Sequence, residues 1–200
     1  MSSQTSHSDP DFPEIGFSQQ TSLTITLVSA ISYALVFVFF ADAARYEGVD
    51  LYAGFALAAV LLIAAHIDLR TGLLLDILTL PLMVAGIAVS FVSELDWKLS
   101  VAGVVIGYGL VAGLALLWRR YRGYEGIGLG DAKLLAAGGA WVGAPLLPVI
   151  LLIASGLGIF AALIVAQKPR TSGVRSALPF GPCLSFAIWV VWCAGETFYG

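Results

Sequence analysis

The sequence predicts an all-α polytopic membrane protein of about seven transmembrane helices, with its N-terminus in the cytoplasm. Three observations lead there. Hydrophobic residues make up 59% of the 200 and charged residues only 12%, about half the charged share of a soluble domain. Mean hydropathy is +0.92. The apolar residues also come in long unbroken runs, not at amphipathic spacing, and a bilayer takes about 20 apolar residues per helical span. The net charge of −3 says little, because in a membrane protein the placement of Lys and Arg is what matters. With no basic tract beyond Arg119-Arg120-x-Arg122, nucleic-acid binding has no support.

Residues 1–21 are polar, rich in Ser and Gln, and carry Asp9, Asp11 and Glu14 but no Lys or Arg. A secretory signal needs a basic start before its apolar core, so this stretch reads as a disordered tail and residues 22–200 as a membrane-embedded domain. The first span is expected over residues 23–41 and the second over 51–67, joined by a short polar link. Residues 68–76 are polar at both ends and read as a tight loop. A third span over 77–92, a turn over 93–98 and a fourth span over 99–118 follow. Residues 132–166 hold Lys133 as their one charge and are too long for one crossing. Pro145 and Pro148 are the expected break, since proline removes a helical donor and clashes with the preceding turn. That leaves a short fifth helix over 131–143, about 20 Å long by helical rise, and a sixth over 146–166. The short fifth helix implies local thinning of the bilayer or a half-buried element. The seventh runs from Phe180 to about Phe198.

In this arrangement Arg70, Arg119, Arg120, Arg122, Lys133, Lys168, Arg170 and Arg175 fall on one side, and Arg45 and Lys98 on the other. The crowded side is the cytoplasm. Asp68, Asp76 and Asp131 then lie at the cytoplasmic face.

Charge inside a bilayer costs roughly 2.5–3.5 kcal/mol for a central Asp, so carboxylates beside apolar spans are weighed first. Asp68 alone also reads as a helix-end charge in the headgroup layer. Asp131 alone also reads as an acid complementing a helix N-terminus. The glycines at 126, 128 and 130 shift the balance, because they free the backbone and admit a close neighbour. A nucleotide loop is disfavoured: no strand precedes the glycines, and an acid there repels phosphate. Downstream, Ala136-Ala137-Gly138-Gly139-Ala140 is a patch for backbone-to-backbone helix packing, so Asp131 enters the bundle. Two carboxylates held close do not both ionise readily. One can activate water while the other, protonated, polarises a carbonyl, with no metal, cofactor or covalent intermediate.

Lys133 lies two positions from Asp131, projects to nearly the opposite side of a helix, and reads as snorkelling to headgroups. His66 reads as a buried packing histidine. Cys183 and Cys193 are about 15 Å apart along a helix, too far for a disulfide, and read as packing residues. No Ser or Cys is matched with a base.

Four segments now form an ordered set: Ile67-Asp68-Leu69; Asp76-Ile-Leu-Thr-Leu-Pro-Leu82; Gly128-Leu-Gly-Asp-Ala-Lys-Leu-Leu-Ala-Ala137 with Gly139-Ala-Trp-Val-Gly143; and Pro179-Phe-Gly-Pro182. Over roughly residues 51–190 the chain resembles the type IV prepilin peptidase family, membrane aspartic peptidases of the Gly-x-Gly-Asp class. The resemblance implies that Asp68 and Asp131 are the catalytic pair, supported by Gly128, Gly130, Lys133 and Asp76. It implies cleavage at the cytoplasmic side of a prokaryotic inner membrane, just before the hydrophobic helix of type IV prepilins or type II secretion pseudopilins. The family usually has proline where this chain has Leu75. Larger members carry a cysteine-containing domain before the core and N-methylate the product. No cysteine precedes Cys183 here, and the expectation is peptidase activity alone. Within the class, the alternative is a preflagellin-type or other intramembrane aspartic peptidase. From a different class, a small proton-linked transporter predicts an inverted repeat, and the Gly-x-Gly-Asp stretch has no counterpart around Asp68.

Overall fold

The computed structural model describes residues 19–40, 49–92, 96–122, 128–166 and 179–194. Most of the expected tail over 1–21, together with Arg45, Gly126, Lys168, Arg170, Arg175 and the last residues of the seventh expected span, lies outside them. The described regular structure is all helical: α1 (Gln19–Phe40), α2 (Val49–Thr71), α3 (Asp76–Ser90), α4 (Trp97–Arg122), α5 (Leu129–Val142), a 3-10 turn (Ala144–Leu146), α6 (Leu147–Ala166) and α7 (Gly181–Cys193).

The bundle is built around α5. Every residue from Leu134 to Val142 is buried, which the small side chains of Ala136 to Ala140 make possible. On one side α4 runs antiparallel to it at backbone contact: a Cβ on Gly103 would collide with the Gly139 backbone, and one on Gly139 with that of Gly103. One turn on, a Cβ on Gly107 would lie 3.0 Å from the Leu135 carbonyl oxygen. On another side α3 runs parallel, with Gly86 admitting the Trp141 ring and the Trp141 Nε1–H donating to the Leu82 carbonyl at 2.8 Å. Buried on both ends, that bond contributes about 1 kcal/mol. α7 closes the third side, with Ile188 packed over Gly138. α1 rests on the far half of α7 through Tyr33, whose ring stacks on Trp189 at 5.6 Å and whose carbonyl accepts the Trp189 Nε1–H at 2.9 Å.

Large apolar side chains cover the outside as well, among them Val105, Leu116, Leu152, Phe160 and Leu163. In water such a surface would aggregate; against lipid tails it is the required one. Three helical stretches are long and apolar enough to cross a membrane, Leu51–Thr71, Trp97–Arg122 and Ala144–Ile164. Leu27–Val38, Asp76–Ser90 and Gly181–Cys193 are apolar but shorter. The protein is thus an all-α, multi-pass membrane protein, and among the described residues three helices, not seven, have crossing length by themselves.

Two local expectations change. Residues 68–71 are helical, not loop: Thr71 Oγ1 bonds back to the Ile67 carbonyl at 2.9 Å, which lets the polar end of α2 continue. The helix stops at Gly72, whose φ of +64° is readily adopted by glycine and whose N–H bonds the Asp68 carbonyl at 2.8 Å. The break after α5 falls at Gly143, with φ +79°. Pro145 and Pro148 sit in the turns that start the next helix, where a missing N–H costs little.

Candidate functional site

Four helix ends meet at one end of the bundle: the C-terminus of α2 and the N-termini of α3, α5 and α7. Asp68 sits in the last turn of α2 and is 5% exposed, a carboxylate buried within the bundle. Its Oδ2 accepts the backbone N–H of Gly181, at the start of α7, at 3.0 Å. Asp131 occupies the first turn of α5, where its charge complements the helix dipole. Its own N–H bonds the Gly128 carbonyl at 3.2 Å. The structure brings the two carboxyls within electrostatic range of each other, each on a separate helix.

The supporting residues converge on the same end. Gly130 packs beneath Leu74 of the 72–75 linker, where a Cβ would lie 2.9 Å from the Leu74 Cβ. A Cβ on Gly128 would lie 3.4 Å from Asp131 Oδ2, an ordinary contact beside the carboxylate. Lys133 does turn away from Asp131, as helix geometry requires, but it does not snorkel free. Its Nζ pairs with Asp76 Oδ1 at 2.6 Å, the side chains being 28% and 56% exposed. This pair ties α3 to α5 two residues, about half a turn, from Asp131. His66 is half-buried on α2. Neither cysteine forms a disulfide, and Cys183 sits in the first turn of α7, two residues after Gly181.

Gly181 is the residue that sequence reasoning did not single out. The segment Pro179-Phe-Gly-Pro182 was a signal, but a backbone N–H donor leaves no side-chain trace of what it binds. No group of three or more His, Cys, Asp or Glu that could hold a metal ion occurs among the described residues.

The packing registers also set the depth of the site. Gly103 meets Gly139, and Gly107 meets Leu135 and Ala136; continued one more turn, this antiparallel register puts Asp131 level with Val111. α4 therefore runs about three turns, roughly 16 Å, beyond the carboxylates. Likewise Phe180 packs at Gly158 of α6, and α6 continues to Ala166, roughly 12 Å further. The carboxylates lie at the foot of two longer helices.

Chemically, two carboxyls on neighbouring helix ends, one of them bound by a backbone donor, are groups suited to general acid–base work.

The chain matches the model of the Type IV leader peptidase family over residues 55–163, a stretch that includes both carboxylates. It is 40% identical over 148 residues to a prepilin leader peptidase/N-methyltransferase of Burkholderia pseudomallei (strain 1026b), covering 74% of this chain and 48% of that protein. It is 39% identical over 153 residues to one of Aeromonas hydrophila, covering 72% and 50%. It is 33% identical over 145 residues to one of Neisseria gonorrhoeae, covering 72% and 49%. The chain spans about half the length of these relatives. No solved structure matches it.

Proposed function

Because the chain belongs to the type IV leader peptidase family, we propose that it is a membrane aspartic endopeptidase that removes the leader peptide of type IV prepilins or type II secretion pseudopilins. The observation that supports this reading is the meeting of helix ends that puts the buried Asp68 of α2 and Asp131 in the first turn of α5 at the same end of the bundle. The ionised partner takes a proton from the bound water as the water oxygen attacks the scissile carbonyl. The protonated partner donates a hydrogen bond to the carbonyl oxygen as negative charge develops there. Collapse of the tetrahedral intermediate then breaks the C–N bond, with a proton delivered to the leaving amine. Gly128 and Gly130 let the chain pass close to Asp131, and Asp76 with Lys133 holds α5 in place beneath it.

The same reading gives seven crossings with the N-terminus in the cytoplasm. The shorter α3, α5 and α7, and α1 with its apolar stretch Leu27–Val38, then cross as members of the bundle, with α2, α4 and α6 as the full-length spans. Arg70 and the Arg119, Arg120 and Arg122 group end α2 and α4, and by the positive-inside rule that end faces the cytoplasm. The site therefore opens to the cytoplasmic side of a prokaryotic inner membrane. The relatives' names also include an N-methyltransferase; the proposal here is confined to peptide hydrolysis, for which the two carboxylates supply the groups.

Membranes carrying the wild type, Asp68→Asn or Asp131→Asn at matched expression test this on a prepilin substrate. Each substitution is expected to lower leader removal by about 10²–10⁴-fold, the usual share of a general acid or base, with insertion unchanged. If either variant cuts at the wild-type rate, that carboxylate is a helix-end charge and the two-aspartate scheme is wrong.

A further inference from the structure

The two-carboxylate scheme leaves the first turn of α7 without a part, yet α7 touches Asp68 directly through Gly181. The Gly181 N–H is one of the donors that a helix start leaves without a helical acceptor, and Asp68 Oδ2 takes it in a buried position. Pro182 stands within the first turn of the same helix, where its fixed φ stiffens the turn that aims this donor. There is no space between the two residues. A Cβ on Gly181 would lie 2.6 Å from Asp68 Oδ2, 2.8 Å from its Cγ and 3.1 Å from its Cβ. The carboxylate end can swing aside by side-chain rotation, but the Asp68 Cβ is fixed by the α2 backbone, so full relief also needs α2 and α7 to move apart by a few tenths of an ångström. Glycine is not needed here for its backbone freedom, since the positive-φ glycines among the described residues are Gly72 and Gly143. It is needed because only a missing side chain lets the donor reach the acid.

We infer that Gly181 is a positioning residue for the hydrolysis: it holds the Asp68 carboxylate in a single orientation from the start of α7, through one backbone hydrogen bond and one absent Cβ. This rests on the reading of Asp68 as a reacting carboxylate. An unrestrained aspartate has a broad terminal torsion. With one oxygen fixed by α7, the carboxylate plane is set by a helix that also packs on α5, so Asp68 and Asp131 are aligned by a common neighbour.

The test compares purified full-length wild type, Gly181→Ala and Gly156→Ala for cleavage of a prepilin substrate, with kcat and KM determined separately. Gly156 lies on α6 with nothing within 4 Å of a built Cβ, so its variant should match the wild type. Gly181→Ala should lose about 100-fold in kcat, as an ångström-scale misplacement of a reacting group does, with KM within about twofold of wild type. A Gly181→Ala enzyme with wild-type kcat overturns the inference, as does one whose defect is entirely in KM. If Gly181→Ala fails to accumulate folded, Asp68→Ala is added to it. Recovery of the folded protein locates the conflict at the Asp68 carboxylate and supports the contact, whereas a double variant that stays unfolded overturns it. Failure of the proposed function is distinguishable, because then Asp68→Asn itself would still cut.

Discussion

Leu75 occupies the place where the family usually carries proline, and its backbone holds φ −78° and ψ 131° at the start of α3. Proline favours φ near −65° and extended ψ, so the conformation that proline would impose is already present without it. The bend between α2 and α3 is made instead by Gly72, and the linker is held by Leu74 over Gly130 and by the Leu73 N–H donating to Thr71 Oγ1 at 3.2 Å. The backbone at position 75 thus already has the conformation that proline would impose. Leu75→Pro is expected to raise stability by about 0.4–1 kcal/mol, through a less flexible unfolded chain, and to leave cleavage unchanged. Thermal unfolding in detergent measures this. A drop in Tm would mean that the Leu75 N–H or side chain carries a contact that proline cannot replace.

Among the elements, α4 and α5 show what the glycines are for. Gly103 and Gly139 let two helices touch backbone to backbone, and that closeness fixes the register on which Asp131 sits. Gly103→Ala forces a Cβ into a carbonyl that cannot rotate away. It should therefore cost about 1–3 kcal/mol, the range for overpacking a tight interface. Gly109→Ala on the same helix, where a Cβ meets nothing within 4 Å, should be neutral or slightly stabilising. Equal unfolding temperatures for the two variants would mean that the helices separate at little cost. Most of this architecture was legible in the sequence, because unbroken apolar runs mark the helices and the Ala/Gly patch marks the buried one. The boundary of α2 was not, since Asp68-Leu-Arg-Thr looks like loop until Thr71 is seen bonding its own helix and Gly72 ending it. The Lys133–Asp76 pair was not either. Local helix geometry says where Lys133 cannot reach, but its partner stands 57 positions away and depends on how α3 packs on α5. Gly181 was hidden for the same reason, as its role depends on a contact 113 positions away.

For the whole molecule, the consequence is depth. α4 and α6 run roughly 16 Å and 12 Å past the carboxylates by helical rise, and those extensions are apolar for most of their length. On α4, Leu114, Leu116 and Leu117 are exposed before Arg119 is reached; on α6, Ile159, Phe160, Leu163 and Ile164 are exposed. Surfaces of this kind belong in hydrocarbon, while Arg119, Arg120 and Arg122 belong at the headgroups. The polar boundary then lies near Arg119, a little over two turns or roughly 12 Å above the level of Asp131. On the proposed reading the two carboxylates sit below the membrane surface, beside the extensions of α4 and α6. Nitroxide labels on single cysteines, in a background without Cys183 and Cys193, measure this directly. Leu110 is exposed and nearly level with Asp131; Tyr121 is exposed beyond the boundary. The label at 110 should be relaxed mainly by lipid-soluble oxygen and the label at 121 mainly by a water-soluble nickel complex. If the label at 110 is as open to the nickel complex as the label at 121, the carboxylates lie at the surface and α4 projects into water. In the expected outcome the proposed peptidase reading requires a substrate to bring its scissile bond below the level of Arg119. The apolar helix that follows the bond then remains in lipid while the leader stays on the aqueous side.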